Sequence, residues 1–139
     1  MSYKIISKFI KDISFEIPNV QAFTMLEKEI ENYGLNFDIK SRTYKKNIIT
    51  VDTLLKISPT QDVKHKILTE ITCTTLVSIE EHFEDKKELE KIILIKIPQA
   101  IYPTLYETFV YLFSQAGIKN IKIHKEVDFE KMYNERKNN

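Results

Sequence analysis

Residues Lys11–Asn19 read KDISFEIPN, and this stretch decides the fold. Ile13, Phe15 and Ile17 fall at every second position, with Asp12, Ser14 and Glu16 between them. That alternation marks a strand with one apolar and one polar face. Pro18 closes the run, because proline lacks a backbone donor and holds its predecessor in extended geometry. The period of two returns at Leu35, Phe37 and Ile39, and again at Ile49, Val51, Thr53, Leu55 and Ile57, before the turn signal Ser58-Pro59. It is clearest from Ile67 to Ile79, where Ile71, Cys73, Thr75 and Val77 share one face and Leu68, Glu70, Thr72, Thr74 and Leu76 the other. Threonine is frequent here because β-branched side chains suit a pleated surface. Four such runs with short polar connections predict an antiparallel sheet with one apolar face.

Between the first two runs, Gln21 to Tyr33 is irregular. Phe23, Met25, Leu26 and Ile30 fit either a helical turn or a crossover loop. After Ile79 the period changes. Glu80 to Glu90 is a charged connection, with Glu80-Glu81 and Glu84-Asp85 read as solvated charge, and Leu89, Ile92, Ile93 and Lys96 then take helical spacing. Pro98 is expected to interrupt that helix. A second helical stretch begins near Pro103 and carries Tyr102, Leu105, Tyr106, Phe109, Leu112 and Phe113 on a broad apolar face, with Gly117 as its stop. Ile118, Ile121 and Ile123 read as a short extended segment, and Asp128 as the cap of a last helix through Met132 and Tyr133. Strands followed by helices predict an α+β fold. The expected architecture is a four-stranded antiparallel sheet with a long, proline-interrupted helix and a short C-terminal helix packed on one face. No repeat or linker divides residues 1–139, so one domain is expected.

Composition narrows the function. The chain is 42% hydrophobic and 29% charged, the balance of a globular domain. Its 21 basic and 20 acidic residues give a net charge of +1, which argues for neither nucleic acid nor an anionic membrane as partner. Cys73, the sole cysteine, excludes an internal disulfide and fits a reducing cytoplasm. Lys4, Lys8 and Lys11 interrupt any apolar leader, and the aliphatic run Ile92–Ile95 is too short to cross a bilayer. A soluble cytoplasmic protein, without membrane insertion, is expected.

An enzyme needs a constellation of reactive groups, and none assembles from the sequence. His65, His82 and His124 are dispersed and read as surface or structural histidines. Cys73 alternates in phase with Ile71 and Thr75, so it reads as a small buried residue rather than a nucleophile. Neither Gly34 nor Gly117 lies in a phosphate-cradling loop. No catalytic residue, cofactor or metal is expected. The lysines and tyrosines around Arg42–Lys46 read as a solvated hairpin rather than a nucleic-acid contact.

KDISFE-x-PN resembles the opening strand of the SecB family of protein-export chaperones. Two further segments are similar to family motifs. Ala100–Glu107 (AIYPTLYE) matches the helical form I-L-F-P-Y-A-R-E at Ile101, Tyr102, Pro103 and Glu107, and Val127–Tyr133 (VDFEKMY) matches the terminal-helix spacing V-x-F-x-x-L-F/Y. The resemblance implies an ATP-independent holdase that binds non-native precursor polypeptides in apolar grooves and assembles as a homotetramer, a dimer of dimers. It also implies an acidic patch that docks the SecA motor, carried here by Asp12, Glu16, Leu68 and Glu70. Groove candidates are Phe23, Met25, Leu26, Tyr102 and Tyr106, with Phe109 and Phe113 read as core. The chain departs from the pattern in its near-neutral charge and its ending, Glu135-Arg-Lys-Asn-Asn139. Ile97-Pro98-Gln99 replaces the family's Cys-Pro, and Thr74-Thr75 replaces a Gly-rich strand end. Service to a toxin–antitoxin pair, or a non-chaperone interaction module, are the alternatives.

Overall fold

A computed structural model describes residues 2–80, 85–119, 121 and 123–137. Strand β1 spans Tyr3–Glu16, β2 Tyr33–Lys45, β3 Ile48–Pro59 and β4 Leu68–Ile79. All pairings are antiparallel, and the spatial order is β1-β4-β3-β2. This is a Greek-key order, in which β2, β3 and β4 form a meander and β1 lies beside β4. The β2–β3 turn at Lys46 and Asn47 makes the Arg42–Lys46 stretch a hairpin, with Asn47 at φ 63°. Asparagine tolerates that left-handed geometry better than most residues.

The α+β architecture is as the sequence predicts, but β1 begins eight residues before Lys11. Irregularities between Ile5 and Ser7, and between Ile10 and Asp12, break its period of two. Ile13 is 45% exposed rather than core, because β1 is an edge strand. Phe15 does turn inward, meeting Phe113 edge-to-face at 5.3 Å. Gln21–Tyr33 resolves into helix α1 (Val20–Glu29) and a 3-10 turn (Ile30–Asn32). Asn19 caps α1, its side chain accepting from the Ala22 amide at 2.8 Å.

The two expected helical stretches run on without a break. Helix α2 (Lys86–Lys91) passes through a π-helical turn (Ile92–Lys96) into α3 (Ile97–Gln115). Pro98 does not end the helix. It sits at the start of α3, just after the widened turn, and Pro103 is carried inside α3. Ile97, Ile101, Leu105, Phe109 and Phe113 form one i, i+4 row, each 1% exposed or less. Such a row slants about 26° to the helix axis, which suits a twisted sheet. Beneath it lie Val51, Leu55, Ile71, Cys73 and Val77 of β3 and β4, all fully buried.

Gly117 ends α3 at φ 90°, with its amide on Ser114 O and that of Ile118 on Phe113 O. This is a Schellman stop. Ile118, Ile121 and Ile123 follow outside any assigned strand or helix and pack against the core. Asp128 caps α4 (Phe129–Lys137) by accepting from the Lys131 amide at 3.0 Å. The charges Glu81 and Glu84, with His82, lie outside the described residues.

The inner sheet face carries a polar defect. The Thr53, Thr69 and Thr75 hydroxyls are buried without a hydrogen-bond partner among the described residues. An unsatisfied buried hydroxyl destabilises, so its removal at constant shape is favourable. Thr75→Val is expected to raise unfolding stability by about 1 kcal/mol, read by urea denaturation; a loss of stability would refute the assignment.

Candidate functional site: an apolar groove beside β2

An apolar depression of about 650 Å³ opens along the start of β2. One wall is Tyr33, Leu35 and Phe37, whose side chains lie on the same face as Leu55 and Ile57. The opposite wall is Ile121, Ile123 and Val127, and Met132 of α4 closes one end. Glu31, His124 and Glu126 give the rim its polar groups. A second depression of about 320 Å³ shares Leu35, Phe37 and Met132, so the two adjoin along the strand. β2 pairs with β3 alone among the described residues, leaving its outer edge with backbone donors and acceptors free of a ladder.

Local packing shapes this groove. Phe37 meets Phe129 at 4.9 Å and Tyr102 at 5.8 Å, both edge-to-face, which fixes the floor against α3 and α4. The Tyr102 hydroxyl donates to the His124 carbonyl, tying the wall formed by Ile123 and Val127 to α3. Burial, with the neighbouring Tyr106 phenol adding to it, pushes the Tyr102 pKa up to about 12. The hydroxyl therefore keeps its proton at any physiological pH.

The groove candidates named from sequence fall elsewhere. Leu26 (2% exposed) and Tyr102 (3%) are buried among core residues, and the Tyr102 hydroxyl is held by the His124 carbonyl. Tyr106 is half-buried beside Tyr102, with ring centroids 6.3 Å apart. Phe23 and Met25 are exposed on α1, and Phe23 lies over the Gly117 turn. None of the five lines the depression at Tyr33 and Ile121. The walls of this depression carry two signals in the sequence: the alternating apolar run at Leu35–Ile39, and the isoleucines Ile121 and Ile123.

The acidic candidates do converge. Glu16 pairs directly with Leu68, Ser14 with Glu70, and Asp12 with Thr72, so all four candidates share the sheet face opposite α3. Glu70 is the least free of them, with its carboxylate 3.5 Å from Lys56.

No group of three or more His, Cys, Asp or Glu side chains is placed to hold a metal among the described residues. No helix there is long and apolar enough to cross a membrane. Cys73 is fully buried, and desolvation pushes its thiol pKa up.

A four-stranded antiparallel sheet in the order β1-β4-β3-β2, with helices packed on one face, is the fold of a SecB-like chaperone. The chain belongs to the SecB family: the model of the preprotein translocase subunit SecB matches residues 1–139. A SecB-named protein of Pelagibacter ubique (strain HTCC1062) is 42% identical, covering 99% of this chain and 98% of its own. The protein-export protein SecB of Anaplasma phagocytophilum (strain HZ) is 25% identical, covering 91% of this chain and 87% of its own. The fold is also that of a SecB-like chaperone of Mycobacterium tuberculosis, solved in complex with a peptide from the HigA1 antitoxin. That structure superposes with a TM-score of 0.64 at 12% identity, over 88% of this chain and 89% of the other. The family is one of chaperones rather than enzymes.

The raised Cys73 pKa keeps the thiol protonated and unreactive at neutral pH. A thiol reagent at pH 8 is expected to label the native protein at least about a hundredfold more slowly than the urea-unfolded chain. Equal rates would mean that β4 opens far more readily than its burial implies.

Proposed function

We propose that this protein is an ATP-independent holdase that binds non-native precursor polypeptides and keeps them competent for export. The single observation that carries this reading is the apolar depression along β2. Its apolar walls suit side chains exposed only in unfolded proteins, and the free β2 edge suits their backbone. Such a site is broad in sequence and selective for the unfolded state. The curated relatives named for protein export favour this client class over a toxin–antitoxin pair.

On this reading the working unit is a homotetramer, a dimer of dimers, in the cytoplasm. Exposed apolar residues on β1 (Ile6, Phe9, Ile10 and Ile13) and on α3 (Val110 and Tyr111) support self-association. Several grooves on one assembly would make many weak contacts along one client avid. SecA is the proposed recipient, docking at Asp12, Glu16, Leu68 and Glu70, whose shared face supports one acidic surface for a basic partner element.

Ile121 and Ile123 are half-buried and lie outside regular elements, so they are suitable probes of the groove. Ile121→Asp with Ile123→Asp is expected to weaken binding of a urea-unfolded precursor by about tenfold or more, with the circular dichroism spectrum retained. Wild-type affinity in a folded double variant would refute the groove assignment, as would equal affinity of the wild type for the native and unfolded precursor. Separately, Asp12→Lys with Glu70→Lys should abolish SecA binding while client holding persists. Retained SecA binding by that variant would overturn the docking site and leave the holdase reading intact.

A further inference from the structure

The sheet face opposite α3 is sorted by charge along the strand axis. Directly paired residues share a face, so the register maps this surface row by row. One end gathers Lys4, Lys11, Lys40, Arg42 and Lys45 from the two edge strands, around Asp52 of β3. The other end gathers Asp12, Glu16, Asp38 and Glu70, with Lys56 among them. Lys11 sits at a strand irregularity, and its ammonium reaches this face to lie 3.3 Å from Asp52.

Asp52 organises the basic end without neutralising it. It is only 17% exposed, and it accepts from the Thr74 hydroxyl at 2.7 Å. Arg42 lies 3.8 Å from the same carboxylate and stays 74% exposed. Lys40, 76% exposed, lies 3.7 Å from Asp38, at the border between the two ends. Lys11, Lys40, Ser41, Arg42 and Asp52 line an open depression of about 600 Å³. From the Arg42 row to the Asn36 row is a span of about 20 Å along a strand. The Debye length at physiological salt is about 8 Å, so a ligand at one end is largely screened from the other.

We infer that the basic end of this face docks an acidic segment of a polypeptide partner. The occupant follows from charge complementarity and from size. An anionic bilayer or a nucleic-acid duplex laid over Lys40 and Arg42 would also cover Asp12, Glu16, Asp38 and Glu70, and would be repelled there. A single extended chain of four or five residues spans about 15 Å and fits within the basic end alone. The near-neutral composition thus conceals two opposite surfaces. The inference stands apart from docking at the acidic end, and the two fail separately.

The test uses the full chain and fluorescein-labelled decaglutamate, read by fluorescence anisotropy at about 20 mM and about 300 mM salt. Binding is expected at low salt and should weaken at high salt. Lys40→Glu with Arg42→Glu should reduce affinity by about tenfold or more, whereas Asp12→Lys with Glu70→Lys should not reduce it. Both substituted basic side chains are exposed, and thermal unfolding checks that the variant remains folded. Amide shifts on titration should cluster at Lys11, Lys40 and Arg42. No binding, or equal affinity in the Lys40→Glu, Arg42→Glu variant, would overturn the inference. Co-sedimentation with vesicles of phosphatidylcholine and phosphatidylglycerol, without decaglutamate binding, would assign the basic end to a lipid surface instead.

Discussion

The i, i+4 row from Ile97 to Phe113 seats on one face of β3 and β4, and the rest of the molecule is arranged around that contact. A single helix about 10 Å wide covers the middle of a four-stranded sheet and leaves its edges and its far face uncovered. The central strands accordingly hold the fully buried residues Val51, Leu55, Ile71 and Val77. The margins are completed by smaller pieces: α4 with Ile121, Ile123 and Val127 on the β2 side, and Phe15 against Phe113 on the β1 side. The groove is the seam between these pieces and β2, a consequence of covering a wide sheet with a narrow helix.

That arrangement also explains which features were legible in the sequence. β3 and β4 were read correctly because α3 covers one face of each; burial alternates cleanly along β3, and in β4 the apolar and β-branched residues keep the period although Ile71 to Thr75 are all buried. The start of β1 was not, because its two irregularities shift the face on which Ile5, Ile6, Phe9 and Ile10 fall. At the helix, a local rule misled. Proline removes one donor, but the π-helical turn at Ile92–Lys96 directly precedes Pro98 and the chain continues helical. The caps at Asp128 and Gly117 were visible because each depends on a few neighbouring residues.

The candidate sites differ in legibility for the same reason. Asp12, Glu16, Leu68 and Glu70 share one face because parity along a strand and antiparallel pairing both fix it. The groove has no such rule. Leu35 and Phe37 meet Ile121, Ile123 and Met132 across some ninety positions of sequence, and only tertiary packing joins them. Aromatic spacing on α3 pointed instead to Tyr102, whose burial and hydroxyl bond to His124 make it a support for the groove wall.

The two edges of the sheet solve the edge-strand problem in opposite ways. Along β2, Asp38, Lys40 and Arg42 project from the outer face, and charge discourages unwanted pairing. Its first half, Tyr33 to Ile39, adjoins an apolar surface. β1 exposes Phe9 on the outer face and Ile10 and Ile13 on the inner one, along a strand of fourteen residues. A long apolar edge of that kind is an aggregation hazard unless something covers it. On the proposed reading a second copy covers it permanently, and the charged β2 edge stays open to transient clients. Permanent and transient partners are then kept apart by the full width of the sheet, so a client could enter and leave without disturbing the assembly.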